Sequence, residues 1–240
     1  MATYIMSDIH GDMLSFKKLL KLIRFDERTD FLIVNGDVLD RGEHGIGILL
    51  LIKDMVEKGQ AIMIKGNHEL FAQLYMEGTL TEKKWILFSC EGTLRELERL
   101  EEQKRGKLRD FIEKLPIYIE WELPRYGRTV ITHAGIKDEQ LVYVAENKID
   151  VVASIEKAYH NDEYSLLISA DIHYLGKDCL YMLDKYIICG HVPTYQLGPE
   201  YTGKILENGI YMDIDAGAGY RKQGGRLACY RCEDGTVFYV

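Results

Sequence analysis

Short apolar runs in this chain stop abruptly at polar, glycine-flanked segments, and this repeated punctuation restricts the fold more than any other feature. Tyr4-Ile5-Met6 ends on Ser7-Asp8, and Phe31-Leu32-Ile33-Val34 ends on Asn35-Gly36-Asp37. Ala61-Ile62-Met63-Ile64 leads to Gly66-Asn67-His68-Glu69, and Tyr186-Ile187-Ile188-Cys189 ends on Gly190-His191. Continuous apolar runs of this length suit strands buried on both faces. Between the first three, Met13 to Ile23 and Ile46 to Val56 carry apolar residues at helical spacing. The pattern is strand, polar loop, helix, and open α/β sheets carry their sites just past the C-terminal ends of their strands.

The rest of the chain is read in the same terms. Residues 70–115 are helix-rich, and the charged stretch from Arg95 to Asp110 is a solvated helix face. Ile117 to Glu122 and Arg128 to Ile131 read as strands around Pro124-Arg125-Tyr126-Gly127, the second leading to His133. Residues 138–180 are expected to form helical and loop segments over the site. From Ile210 to Val240 the chain alternates like hairpin strands, with Arg226–Tyr230 and Thr236–Val240 joined across Asp234-Gly235. A length of 240 residues is enough for a single α/β domain over 1–240, with its helical segment at about 70–115.

Composition excludes some functions. A net charge of -8 argues against binding nucleic acid through a broad basic surface, though bound cations can still dominate a small phosphate site. No apolar run is long enough to span a bilayer, so no membrane partner is expected. The N-terminus enters its first motif at once, leaving no room for a signal peptide. Cysteines 90, 179, 189, 229 and 232 form an odd set that suits a reducing compartment. Cys229 and Cys232 have Cys-x-x-Cys spacing but lie in a strand-like run, where ordinary core cysteines are expected. The location expected from these features is cytoplasmic.

The polar segments together supply two aspartates, an asparagine and three or four histidines: Asp8, His10, Asp37, Asn67, His68, His133 and His191. Any one of these could be a turn or core residue satisfied by hydrogen bonds. Delivered in order after apolar runs, they form the ligand inventory of a two-metal phosphoester-hydrolysing site. Oxygen ligands mixed with imidazole favour two divalent ions such as Mn, with Fe or Zn as alternatives, over metals that prefer thiolate.

The motifs Asp8-Ile9-His10-Gly11, Gly36-Asp37-Val38-Leu39-Asp40-Arg41-Gly42, Gly66-Asn67-His68-Glu69, His133-Ala134-Gly135 and Gly190-His191 resemble those of calcineurin-like metallophosphoesterases. The unbroken Asp-Arg-Gly and Asn-His-Glu are similar to the phosphoprotein phosphatase branch, as is Ile214-Asp215-Ala216-Gly217-Ala218 followed by Gly224-Gly225-Arg226-Leu227. That branch includes bacterial and phage serine/threonine phosphatases and symmetrical diadenosine tetraphosphate hydrolases. The resemblance implies an αββα sandwich of two mixed sheets flanked by helices. It also implies hydrolysis by direct attack of a metal-bound hydroxide.

Carried over position by position, the resemblance places Asp8 and His10 on the first metal and Asp37 between the two. Asn67, His133 and His191 fall on the second, with Asn67 also touching phosphate. His68 becomes the general acid, oriented by Asp40, and Arg41 grips phosphate through its planar fork of donors. Tyr220, after the Ala-Gly-Ala-Gly turn, is placed beside the substrate. One departure stands out: the branch's second phosphate-binding arginine has no counterpart between Arg128 and Arg221. Lys177, His173 or Arg221 are the available substitutes, while His44, His160 and His173 otherwise read as surface or loop histidines.

Three functions fit this reading. The first is a serine/threonine phosphatase-like enzyme acting on phosphoprotein or small phosphoesters. The second is a symmetrical dinucleoside polyphosphate hydrolase, and the third an inactive metal-binding scaffold. Intact His68, Asp40 and metal-ligand positions weigh against the scaffold.

Overall fold

The computed structural model describes every residue except Ala170. Its strands are β1 (Thr3–Met6), β2 (Phe31–Asn35), β3 (Ala61–Ile64), β4 (Tyr118–Leu123), β5 (Gly127–Thr132), β6 (Tyr143–Ala145), β7 (Lys148–Ile149), β8 (Tyr186–Cys189), β9 (Leu206–Glu207), β10 (Tyr211–Asp213), β11 (Ala228–Arg231) and β12 (Val237–Tyr239). The α-helices are α1 (Met13–Leu22), α2 (Gly45–Glu57), α3 (Asn67–Met76), α4 (Glu82–Trp85), α5 (Glu91–Glu98), α6 (Glu102–Glu113), α7 (Val151–Asn161), α8 (Glu163–Ser169) and α9 (Lys177–Met182).

Two mixed sheets stack face to face. One has the order β12-β11-β1-β2-β3 and the other β4-β5-β8-β10-β9. The centre of each is parallel, β1/β2/β3 in the first and β5/β8/β10 in the second. Strand alternation builds the layers. Ile5, Ile33 and Ile64 meet Ile131, Ile188 and Met212 in the core between the sheets. Their neighbours Met6, Leu32, Val34 and Met63 face outward onto Phe16 and Leu19 of α1 and Ile48 and Ile52 of α2. Val130, Ile187 and Cys189 likewise face Ile155 of α7 and Leu166 of α8. With both faces of both sheets covered, four-residue strands read as unbroken apolar runs. The result is the αββα sandwich.

Two features depart from the sequence reading. The tail does not form one hairpin series: β11 and β12 pair with each other and β11 with β1, whereas β10 joins the opposite sheet between β8 and β9. Within residues 138–180 a small two-stranded piece, β6–β7, precedes α7. Tyr143 and Val144 of β6 are exposed, so the segment lacks the apolar alternation that marks a strand. Among the described residues no helix is long and apolar enough to cross a membrane.

Candidate metal centre

Parallel pairing brings the C-terminal ends of β1, β2 and β3 level with one another, and those of β5 and β8 likewise. Asn35 ties the two groups of strand ends together. Its Nδ2 donates to the Thr132 carbonyl (3.1 Å), while its own carbonyl accepts from Ser7 Oγ (2.8 Å) and lies 2.9 Å from His133 Nδ1. Gly190 lets β8's exit loop press against β1's, since a Cβ there would lie 2.3 Å from Asp8 Oδ2. Asp8, His10, Asp37, Asp40, Arg41 and His191 all have positive φ, between 47° and 75°. Non-glycine residues rarely adopt this region, and such strain gathers where surrounding structure holds functional side chains in place.

Four imidazoles point inward, each fixed by its other nitrogen. His10 Nδ1 lies 2.9 Å from the Leu39 carbonyl, His191 Nε2 3.1 Å from the Ile168 carbonyl, and His68 Nδ1 2.7 Å from Asp40 Oδ2. With His133 Nδ1 on the Asn35 carbonyl, these contacts tie down the outer nitrogens and turn the inner ones toward the centre. Asp37 is fully buried and lies at the junction. Its Oδ1 is 3.3 Å from His133 Nε2, and its Oδ2 is 3.9 Å from His10 Nε2 and 3.7 Å from His68 Nε2. Asn67 Oδ1 is 3.0 Å from His133 Nε2 and 2.9 Å from His191 Nδ1. Asp8 Oδ1 lies 3.8 Å from His10 Nε2 and has no hydrogen-bond partner among the described residues.

Imidazole nitrogens gathered this closely with carboxylate and amide oxygens form a donor set that a cation would satisfy. Two groups sharing Asp37 have the spacing to hold an ion: His10, Asp37 and His68, and Asp37, His133 and His191. Burial opposes a charge on His133, but Asp37 and Asp8 outweigh it and raise that imidazole to about 10, so a metal bound there would displace its proton. Burial and the Asp37 charge push the Asp8 carboxyl up to about 7, against the pull of His133. Burial and the charge on His133 lower the His191 imidazole to about 4. Burial, Arg41 and His68 hold His10 well below the ordinary histidine value. Burial opposes ionisation of Asp37, but the surrounding histidines, His133 foremost, outweigh it and keep that carboxyl well below the usual range.

Of the remaining sequence candidates, Asp40 also accepts from Trp85 Nε1 (2.8 Å), while its backbone N–H donates to Thr93 Oγ1 (3.0 Å). Arg41 Nη1 is 2.7 Å from His10 Nε2, and its guanidinium lies 4.5 Å from the centre of the Tyr220 ring. The three substitutes for a second arginine have different surroundings. Lys177 is exposed on the first turn of α9. His173 is not a surface histidine: its side chain is only 6% exposed and is enclosed by Asp171 and Asp213. Arg221 lines the same cavity as His10 and Arg41, but its guanidinium is held by Asp12 Oδ2 (2.7 and 3.1 Å) and the Val240 carbonyl (2.8 Å).

Sequence reasoning gave no role to two buried carboxylates. Glu69 collects the backbone N–H groups of Asp37, Val38, Leu39 and Gly66 at 2.8–3.3 Å, which shapes the loop around Asp37. Asp215 accepts from the Gly217 N–H, and its Oδ2 is buried without a partner. Burial and the negative charge of Asp8 drive the Asp215 carboxyl well above the ordinary value. The visible signal for Asp215 was a second acidic residue just past a buried strand.

Comparison with known proteins agrees with this architecture. The family model for calcineurin-like phosphoesterases matches residues 1–209. A symmetrical bis(5'-nucleosyl)-tetraphosphatase of Nitrosospira multiformis is 30% identical over 164 residues, 68% of this chain and 53% of the relative. Its counterpart in Haemophilus ducreyi is 33% identical over 143 residues, 58% of this chain and 47% of the relative. Each match therefore spans about half the relative's length. In fold, the chain is similar to a crystal structure described as a candidate diadenosine tetraphosphatase, with a TM-score of 0.60 at 18% identity over 100% of this chain and 92% of the other. With the family model covering most of its length and the same strand-end loops gathered around Asp37, this chain belongs to the calcineurin-like phosphoesterase family.

Proposed function

We propose that this chain hydrolyses phosphoric esters and anhydrides at a two-metal centre, and that its substrate is a dinucleoside polyphosphate such as diadenosine tetraphosphate. The observation that carries the metal reading is the set of four imidazoles whose outer nitrogens are tied off and whose inner nitrogens converge on Asp37 and Asn67. Bound there, two divalent ions would activate water and neutralise charge on the phosphoryl oxygens. Asp8, His10 and Asp37 would hold the first, and Asp37, Asn67, His133 and His191 the second. Mn²⁺ is the favoured ion because the ligands are nitrogen and oxygen.

Two observations favour the dinucleoside polyphosphate over the phosphoprotein that the motifs also allow. The relatives described above carry tetraphosphatase names. In addition, a cavity of about 560 Å³ runs from His10 and Arg41 past Tyr220, Arg221 and Lys222. A phosphomonoester has one phosphate for Arg41 to grip, whereas a polyphosphate presents further anionic groups to Arg221 and Lys222 along a cleft that also carries Tyr220, Asp12 and Glu43. Within this reading, Arg41 leaves His10 for substrate oxygens while Tyr220 supports the flat face of its guanidinium. His68 donates the proton that the leaving oxygen needs.

The deciding comparison is a panel of diadenosine tetraphosphate, a phosphopeptide and para-nitrophenyl phosphate with Mn²⁺. Diadenosine tetraphosphate is expected to show the highest kcat/KM and to yield two molecules of ADP, with chelation stopping all three reactions. Efficient turnover of the phosphopeptide without dinucleotide cleavage would overturn the substrate class. Activity that survives exhaustive chelation would overturn the metal centre.

Arg41→Ala is expected to lower kcat/KM about 10- to 100-fold for every phosphate substrate, the scale of losing a charged pair of hydrogen bonds. Arg41→Lys should recover little, because an ammonium lacks the planar fork. Tyr220→Ala should weaken binding by a smaller factor, and Tyr220→Phe should be nearly silent, since the ring face rather than the hydroxyl meets Arg41. Steady-state kinetics on the four variants test this, and a fully active Arg41→Ala would remove the clamp.

A further inference from the structure

A second cluster of metal-ligating side chains lies on the outer face of the second sheet. Strands β8 and β10 are parallel neighbours with Cys189 and Asp213 in direct register, so both side chains emerge side by side toward the helical layer. The short helical turn at Ile172–Tyr174 places His173 over them. A ring nitrogen of His173, the Cys189 Sγ and a carboxylate oxygen of Asp213 all lie within 4.8 Å of one another. Cys189 and Asp213 are fully buried.

The hydrogen bonding is incomplete in a telling way. Asp171 Oδ1 lies 2.6 Å from His173 Nδ1, the carboxylate–histidine arrangement that orients a ligating imidazole. The Asp215 N–H occupies Asp213 Oδ1 (2.8 Å) and leaves Oδ2 free. His173 Nε2 and Asp213 Oδ2 approach to 2.9 Å as an ion pair, and neither atom has another partner among the described residues. The Cys189 thiol has only a long contact, 3.5 Å to the Met212 carbonyl. The thiol beside this ion pair brings a third metal-ligating group within 4.8 Å of the other two.

We propose that His173, Cys189 and Asp213 form a third metal site, separate from the centre around Asp37, that takes Zn²⁺. Thiolate, imidazole and carboxylate together are a zinc ligand set, and three protein ligands leave a fourth position for water. Loading the site displaces the protons of the Cys189 thiol and the His173 Nε2 to solvent. The ion ties β8, β10 and the 172–174 turn together directly behind the loop that carries His191. It is a structural device and takes no part in phosphoryl transfer.

The test uses the full-length protein loaded with Co²⁺. The centre around Asp37 offers only nitrogen and oxygen, so a near-ultraviolet thiolate-to-cobalt charge-transfer band reports the third site alone. The wild type is expected to show that band and to bind one more equivalent of metal than Cys189→Ser. Asp213→Asn and His173→Gln should weaken the band and Cys179→Ser should leave it intact, so the result does not depend on the folding of one variant. Asp37→Asn should keep the band even with the other centre disabled, which separates failure of the two proposals. Equal metal content in wild type and Cys189→Ser, with no thiolate band in either, would overturn the site and leave a buried ion pair.

Discussion

Asp37→Asn is expected to cut kcat/KM at least about 10³-fold on every phosphoester and to lower metal content, while the protein stays folded. The reason is geometric as well as electrostatic. Asp37 presents one oxygen to each candidate ion group, Oδ1 toward His133 and Oδ2 toward His10 and His68. An asparagine side chain has a single oxygen, so its NH₂, which cannot ligate a cation, would face one of the two ion groups. Losing the negative charge also removes the bridge that offsets repulsion between two nearby cations. Folding should persist because the Asp37 loop is organised through its backbone N–H groups on Glu69, which the substitution leaves in place. Metal analysis, circular dichroism and kinetics on one preparation check all three parts. Full metal content with full activity would remove Asp37 from the bridging position.

Much of this architecture is legible in the sequence because the fold buries its strands on both faces. Phe31–Val34 and Tyr186–Cys189 have no polar residue to accommodate, so their ends coincide with the first polar side chains, which are the site loops. The same physics hides which sheet a strand joins: Tyr211-Met212-Asp213 is equally compatible with either, and its parallel pairing with β8 depends on contacts distant in sequence. His173 was opaque for a similar reason. Asp171 is two residues away, but Asp213 reaches it only after β10 enters the second sheet. Left-handed backbone at Gly36 is readable from glycine itself, whereas at Asp8, His10 and Arg41 no residue type announces it. Trp85 lies outside every motif, and only the fold brings its buried indole N–H onto Asp40.

His68→Asn is expected to keep its metal and, on phosphomonoesters with an alkoxide leaving group, lose about 10²–10⁴-fold in kcat, the range general acid catalysis supplies. The ring is buried edge-on against Phe71 and Phe88, and Asp40 fixes its Nδ1. Trp85 in turn fixes the same Asp40 oxygen, so the imidazole has little freedom to rotate away from the centre. With a carboxylate on Nδ1, a proton on Nε2 leaves the ring as an imidazolium whose charge Asp40 balances, the state a donor to the leaving oxygen needs. The defect should therefore depend on the leaving group: large for an alkoxide, and small for both ADP and para-nitrophenolate, whose conjugate acids are similarly acidic and which depart with little need of a proton. Asp40→Asn should give a partial version of the same pattern, because the ring remains but its charge is no longer balanced. A competing role is built into the geometry, since His68 Nε2 lies within ligand spacing of His10 and Asp37. The two roles separate cleanly. A ligand's loss lowers metal content and slows all leaving groups alike, whereas an acid's loss spares the metal and steepens the dependence of rate on leaving-group pKa. A uniform slowdown in a metal-depleted His68→Asn protein would make His68 a ligand and leave the proton to be delivered by another group.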